Sequence, residues 1–295
     1  MKQALILSLF LIAVSFLFSC SNDKGYRSDI EKWRADHEAD LKTGDGWLSV
    51  AGLFWLKDGQ NTVGRGDQYD VSLTERFRQD RFGQIDLKDG KIYLTVDDRI
   101  EGTADGNPIS STIELLSDDP GPATKVSSGS QTFYVIKRED RLGVRLKDSH
   151  SPARLNFSGE KWYPVDSNYK LTGTFEPFAT PQEIEIPNIL GGNFKMKSPG
   201  IVKFHLNGKE FALQPVIEND KQLFFIFKDE TAGGETYGAG RFLYTDNPLN
   251  GQVVLDFNKA ENPPCAFTDF ATCPLPPEQN RLAVAITAGE KKYGH

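Results

Sequence analysis

The stretch Ile85–Val96, "IDLKDGKIYLTV", alternates apolar and polar residues on both sides of Asp89-Gly90. Period-two alternation puts Ile85 and Leu87, then Ile92 and Leu94, on one face of a pleated strand. Asp-Gly between two such runs predicts a two-residue hairpin turn, because both central positions need φ > 0 and glycine adopts it without a Cβ penalty. Phe204–Leu213, "FHLNGKEFAL", repeats the pattern around Asn207-Gly208. Outward from the first hairpin, "GWLSVAGLFWL", "YDVSLT", "STIELLS", "TFYVIKR" and "GVRLKD" are short β-branched or aromatic runs, separated by turns such as "GRGDQ" and "DDPGP". A turn-rich segment, "KDSHSPARLNFSGEKWYPVD", then precedes a second set: "NYKLTGTFEPF", "QEIEIPNI", "KQLFFIFKD", "GRFLYTD" and "GQVVLDFN". "KQLFFIFKD" is apolar without alternation, which predicts a central strand covered on both faces. Only Ser28–Lys42, "SDIEKWRADHEADLK", reads as a helix. Ser28 and Glu31 form a capping-box pattern, and Ile30, Trp33 and His37 share one face, as in a packing helix. The expected fold is therefore mainly β: a β-sandwich over residues 47–147, then a second antiparallel sandwich or barrel over 148–295, preceded by a helix and linker at 28–46.

The N-terminus, "MKQALILSLFLIAVSFLFSC", carries one lysine and then an apolar run from Ala4 to Phe18. Such a run engages the secretion machinery, and an uncleaved anchor is the other reading of it. Its end, "LFSC", resembles the lipobox of bacterial lipoproteins. That resemblance implies a signal peptide over 1–19, lipidation of Cys20, a tether over 20–27, and a cell-envelope location at the outer membrane, on its periplasmic or surface side. The chain of 295 residues has a net charge of −7 and no Lys/Arg block, which excludes nucleic acid as a partner. A hydrophobic content of 38%, 11% aromatics and 27 glycines suit a turn-rich β protein.

Two further resemblances follow from longer runs. "LKDGQNTVGRGDQYDVSL", "RFGQIDLKDGKIYLTV", "GTADGNPIS" and "SSGSQTFYVIKR" resemble, in order, the elements of a forkhead-associated domain. Gly64-Arg65 matches that family's Gly-Arg turn. Its Ser-Arg-x-His element falls on Asp80, Arg81, Phe82 and Gly83, and its phosphate-binding asparagine falls near Asp105-Gly106. Carboxylates there repel a phosphate, so the resemblance implies the sandwich without phosphothreonine recognition. "GWLSVAGLFWLKDGQNTVG", "WYPVD", "YGAGRFLY", "LDFNKAENPPCAFTDFATCPLPPEQNRL" and "AGEKKY" resemble, from about Ile30 to Tyr293, the bacterial domain-of-unknown-function family 1684. That resemblance implies a shared fold and no particular activity.

The chemistry legible in the sequence is sparse. No P-loop, GxSxG or HExxH pattern occurs, and no cofactor or metal motif is present. Cys265 and Cys273 are half of a zinc site, with His37 and His150 distant in sequence. As a disulfide they would close a short loop worth about 2–3 kcal/mol; buried structural thiols and a redox pair are the other readings. Pro263-Pro264 and Pro274-x-Pro276-Pro277 bar this arm from any interior strand. Its Asn258, Asn262, Asn280 and Arg281 are expected to satisfy the arm's own backbone carbonyls, or to line a pocket. The pocket reading gathers Tyr237 and Asp256 as proton-moving groups and Arg241, Asn258, Asn262 and Arg281 as binding groups, with Glu290 at its edge. An Arg241–Asp256 ion pair between neighbouring strands is the structural alternative. The expected function is a lipid-anchored envelope protein whose β modules bind a small molecule or an envelope protein; the alternative is a hydrolase-like enzyme using that constellation.

Overall fold

A computed structural model of the protein describes residues 24–98 and 100–294. Residues 1–19, the expected signal peptide, and Cys20, the expected lipidation site, lie outside the described residues. The protein is mainly β, with several sheets, one of them nearly barrel-shaped, and one main helix near the N-terminus. The chain divides into two compact units: residues 40–158 with 267–272, and the described parts of 1–39, 159–266 and 273–295.

The unit built on residues 40–158 is a sandwich of a six-stranded and a five-stranded sheet. Its hairpin Arg81–Lys88/Lys91–Val96 turns at Asp89 and Gly90 with φ of 52° and 75°, as the Asp-Gly dipeptide predicts. Phe82, Ile85 and Leu94 from the five-stranded sheet share one core with Phe133, Val135, Val144 and Leu146 from the other. Burying each such side chain contributes about 1.5–3 kcal/mol, and this shared face holds the two sheets together. Residues 267–272 belong to this unit, where Arg138 Nε donates to Thr272 Oγ1 at 3.0 Å.

The other unit is a seven-stranded antiparallel sheet. Asn193–Leu206 and Lys209–Leu213 form its hairpin, with Asn207 and Gly208 at φ of 53° and 74°. Gln222–Phe227 lies between Val216–Asn219 and Arg241–Asp246, and every residue from Leu223 to Phe227 is buried. The unbroken apolar run therefore reads correctly as an interior strand. Phe204, Phe225, Phe227, Leu243, Leu255 and Phe257 form the centre of this core.

The helix spans residues 24–41, so Ser28 lies inside it rather than at its cap. A tertiary contact favours the extra turn: Tyr26 donates from its hydroxyl to Asp256 Oδ1 at 2.7 Å, which offsets the helix cost of Gly25. The proline arm forms no interior strand and runs through the short 3-10 turns Phe257–Lys259, Pro264–Ala266 and Glu278–Asn280. Its asparagines bond outward, contrary to the expectation that they serve the arm's own carbonyls. Asn280 accepts from Gln214 N and donates to Gln214 O and Ile226 O, and Asn258 bonds both backbone groups of Asp166. An arm rich in proline lacks the N–H donors for a ladder, so side-chain amides attach it to its unit instead.

Candidate functional site

Within the second unit, helix 24–41 brings His37 against carboxylates from three separate segments. His37 Nε2 lies 3.6 Å from Glu160 Oε2, and Nδ1 lies 3.4 Å from Glu261 Oε2. One donor atom each from His37, Glu160 and Glu290 fall within 4.8 Å of one another. The imidazole is stacked on Trp33, with centroids 5.4 Å apart, and meets Trp162 edge-on at 6.0 Å. Aromatic walls on two sides fix the ring plane and leave its side chain 17% exposed.

Each carboxylate is positioned by its own local structure. Glu160 is placed by its backbone N–H, which donates to Glu38 Oε1 at 3.2 Å; the same oxygen accepts from Trp162 Nε1 at 3.3 Å. Glu261 sits on a backbone bridge, exchanging both hydrogen bonds with Phe242 at 2.9 Å. Glu290 accepts from Asn262 N at 2.6 Å and from Asn262 Nδ2, and its own N–H donates to Ala260 O at 2.8 Å. Gly289 makes this approach possible. Its φ is +79°, and an added Cβ would lie 2.5 Å from Ala260 O and 2.6 Å from Phe257 O. Arg241, 1% exposed, latches the same tail: it pairs with Asp229 at 2.8 Å and donates to the carbonyls of Ile286, Ala288 and Glu290.

Burial sets the electrostatics. The side chains of Glu160 and the whole of Glu290 are 0% exposed. Burial, helped by the Glu38 charge, pushes Glu160 up to about 7, against a hydrogen bond with Glu290 that lowers it. Burial, then the Glu160 and Glu218 charges, push Glu261 up to about 8. Glu290 is held well above the carboxylate range by burial and by Glu160. Among the described residues no N–H or hydroxyl donor reaches either Glu160 oxygen, which leaves the Glu290 carboxyl as its hydrogen-bond partner. A neighbouring carboxyl can bond to it only by keeping a proton between the two. Three carboxylates of this kind around one imidazole can share protons or hold a cation.

The sequence-predicted residues lie apart from one another. Asp256 and Asn258 share one network: Asp256 accepts from Tyr26 and from Asn258 N, and Asn258 Nδ2 donates to the Tyr26 oxygen at 2.9 Å. Arg241 pairs with Asp229 rather than Asp256. Tyr237 donates to Cys265 O at 2.9 Å, and Arg281 is an exposed partner of Glu278 at 3.3 Å. Asn262 and Glu290 are in the cluster. Cys265 and Cys273 are not joined in a disulfide; Cys265 N donates to Cys273 Sγ at 3.1 Å, and the hydrogen bond with Cys273 chiefly lowers the Cys265 thiol. His37, Glu160 and Glu261 escaped the sequence reading. Their signal was faint: Glu160 stands just before "WYPVD", and Glu261 precedes Asn262 in "KAENPP".

Fold and site define a mainly β protein with a largely enclosed imidazole–carboxylate cluster. Residues 155–291 match the family described as "Protein of unknown function (DUF1684)", a span that contains Glu160, Glu261 and Glu290. An uncharacterized protein of Haloarcula marismortui, solved by solution NMR, is 30% identical over 47% of this chain and 78% of its own, with a TM-score of 0.40. No curated protein matches.

Proposed function

We propose that this is a lipid-anchored envelope protein whose second unit binds a cationic ligand at His37, Glu160, Glu261 and Glu290. The observation that carries the binding reading is the Glu160 carboxylate: its side chain is fully buried, no N–H or hydroxyl among the described residues donates to either oxygen, and it faces a second buried carboxyl group. A structural carboxylate in such a place would be replaced at little cost by an amide or an apolar group, because a buried acid without a donor destabilises the fold. A cation removes that cost. Binding is tested by thermal shift with methylammonium, guanidinium and divalent chlorides. At least one is expected to raise the melting temperature of the wild type and to leave Glu160→Gln unmoved; equal shifts in both proteins, or none in either, end this reading.

The anchor is supported by "LFSC" at Leu17–Cys20. Metabolic labelling with a palmitate analogue is expected to mark the wild type and not Cys20→Ala, and an unlabelled wild type would refute it. The first unit is read as a forkhead-associated-like sandwich without phosphothreonine recognition. That reading is supported by its six- and five-stranded sheets, and by Asp80 and Asp105 at the phosphate-reading positions, where they accept from Tyr69 Oη and Lys125 N at 2.9 Å each.

A further inference from the structure

We infer that the ligand of this cluster is a single divalent transition-metal ion, held by His37 Nε2 and by the carboxylates of Glu160 and Glu290. The inference rests on the reading that the cluster takes a cationic ligand, and it names that ligand's class. Geometry is the first ground. Zinc and its neighbours hold nitrogen and oxygen donors at about 2.0–2.2 Å, which places those donors roughly 3–4 Å apart. The three donors here lie within 4.8 Å of one another, close to that spacing. Trp33 and Trp162 pack against the imidazole, and the Glu160 and Glu290 side chains are wholly enclosed, surroundings that favour a single ion over the carbon body of an amine.

The groups behind the donors are the second ground. A metal-bound imidazole usually gives its other N–H to a carboxylate, which fixes the tautomer and aims the free lone pair. Glu261 stands on that side of His37, 3.4 Å from Nδ1, while Nε2 faces Glu160. Asn262 orients Glu290 through two bonds, and Glu38 places the Glu160 backbone. Two ionised carboxylates balance a 2+ charge, so the filled site is neutral where it is buried. One nitrogen and two oxygen donors suit Zn²⁺, Fe²⁺ or Mn²⁺ better than the all-oxygen ions Ca²⁺ and Mg²⁺. Three protein ligands also leave a coordination position for water or a substrate.

The test uses the full chain in detergent, stripped with a chelator and dialysed against Zn²⁺ alone, Mn²⁺ alone, or methylammonium alone. One ion per chain is expected, with Zn²⁺ displacing Mn²⁺ and the Mn²⁺ spectrum reporting the bound state. Glu160→Gln and His37→Gln are each expected to weaken Zn²⁺ binding at least tenfold, and Glu261→Gln about tenfold through its hold on His37. A variant that fails to fold, by circular dichroism, is set aside, and the electron spin-echo signature of imidazole nitrogen on wild-type protein loaded with Cu²⁺ decides in its place. Methylammonium bound in a Glu160-dependent way without any metal would overturn this inference and leave the ligand reading standing. Neither probe bound would overturn both, and metal bound equally by wild type and variants would place the ion elsewhere and also overturn it.

Discussion

Arg241→Met is expected to destabilise the second unit by about 3–5 kcal/mol, the cost of leaving one member of a buried ion pair without the other. The guanidinium is 1% exposed and is the ionic partner of Asp229, whose side chain is 2% exposed. Asp229 Oδ1 is already committed to Thr231 and to Ile286 N, so the lost charge cannot be replaced by rotating the carboxylate. The carbonyls of Ile286, Ala288 and Glu290 lose a donor at the same time. Arg241→Lys is expected to recover little, because an ammonium cannot reach several acceptors in one plane as a guanidinium does. Urea unfolding measures this directly. A midpoint change worth under about 1 kcal/mol at an unchanged slope would mean that the tail carrying Glu290 is held by other contacts.

The second large effect concerns pH. With a chelator present, the protein is expected to lose stability as the pH rises from about 4.5 to about 8, by an amount on the order of a few kcal/mol. The sign follows from the direction of the shifts. Glu160, near 7, and Glu261, near 8, are raised above the ordinary carboxylate value, so the folded state binds more protons than the unfolded chain across this window. Their contribution is full below the unfolded value, is lost as pH climbs through the folded ones, and stays lost above them. The groups facing this pair are His37, Glu38, Glu290 and Tyr293 around Glu160, with Glu218 and Tyr244 beside Glu261. Asp70, held down at about 2 by Lys57 and Thr62, acts oppositely and only at lower pH. Urea midpoints at half-unit intervals give the profile. It should flatten in Glu160→Gln, and added Zn²⁺ should restore stability at pH 8; a profile rising from pH 5 to 8 in the chelated protein would contradict the burial of these acids.

The fold was legible where the deciding physics is local. Asp89-Gly90 and Asn207-Gly208 each specify a turn with their own dihedral preferences, and the alternation around them sets the strands' inner faces. Leu223–Phe227 announced an interior strand by leaving no polar residue to face solvent. Ser28 misled because a capping pattern is a weak local preference, and the Tyr26–Asp256 bond extends the helix past it. The site was mostly illegible for the opposite reason. Its imidazole, its three carboxylates and the amide that orients one of them come from a helix, the "GEKWYPVD" segment, the start of the proline arm and the final tail. No spacing rule spans such distances. Arg241 reads as a binding group and Asn262 as a polar residue of the arm, yet their work is to position the tail and Glu290. His37 read as one more packing residue because Trp33 and Ile30 share its face.

His37 stands close to the beginning of the described chain and Glu290 close to its end. Anything that grips both ties nearly the full length of the polypeptide into one closed loop. Loops of that size are the ones whose closure removes the most freedom from an unfolded chain. The grip would therefore act as a reversible cross-link, as a disulfide does but with a bond that protons or a chelator can release. The lifetime of the folded unit would then be governed by how often that clasp opens, and much less by any single strand.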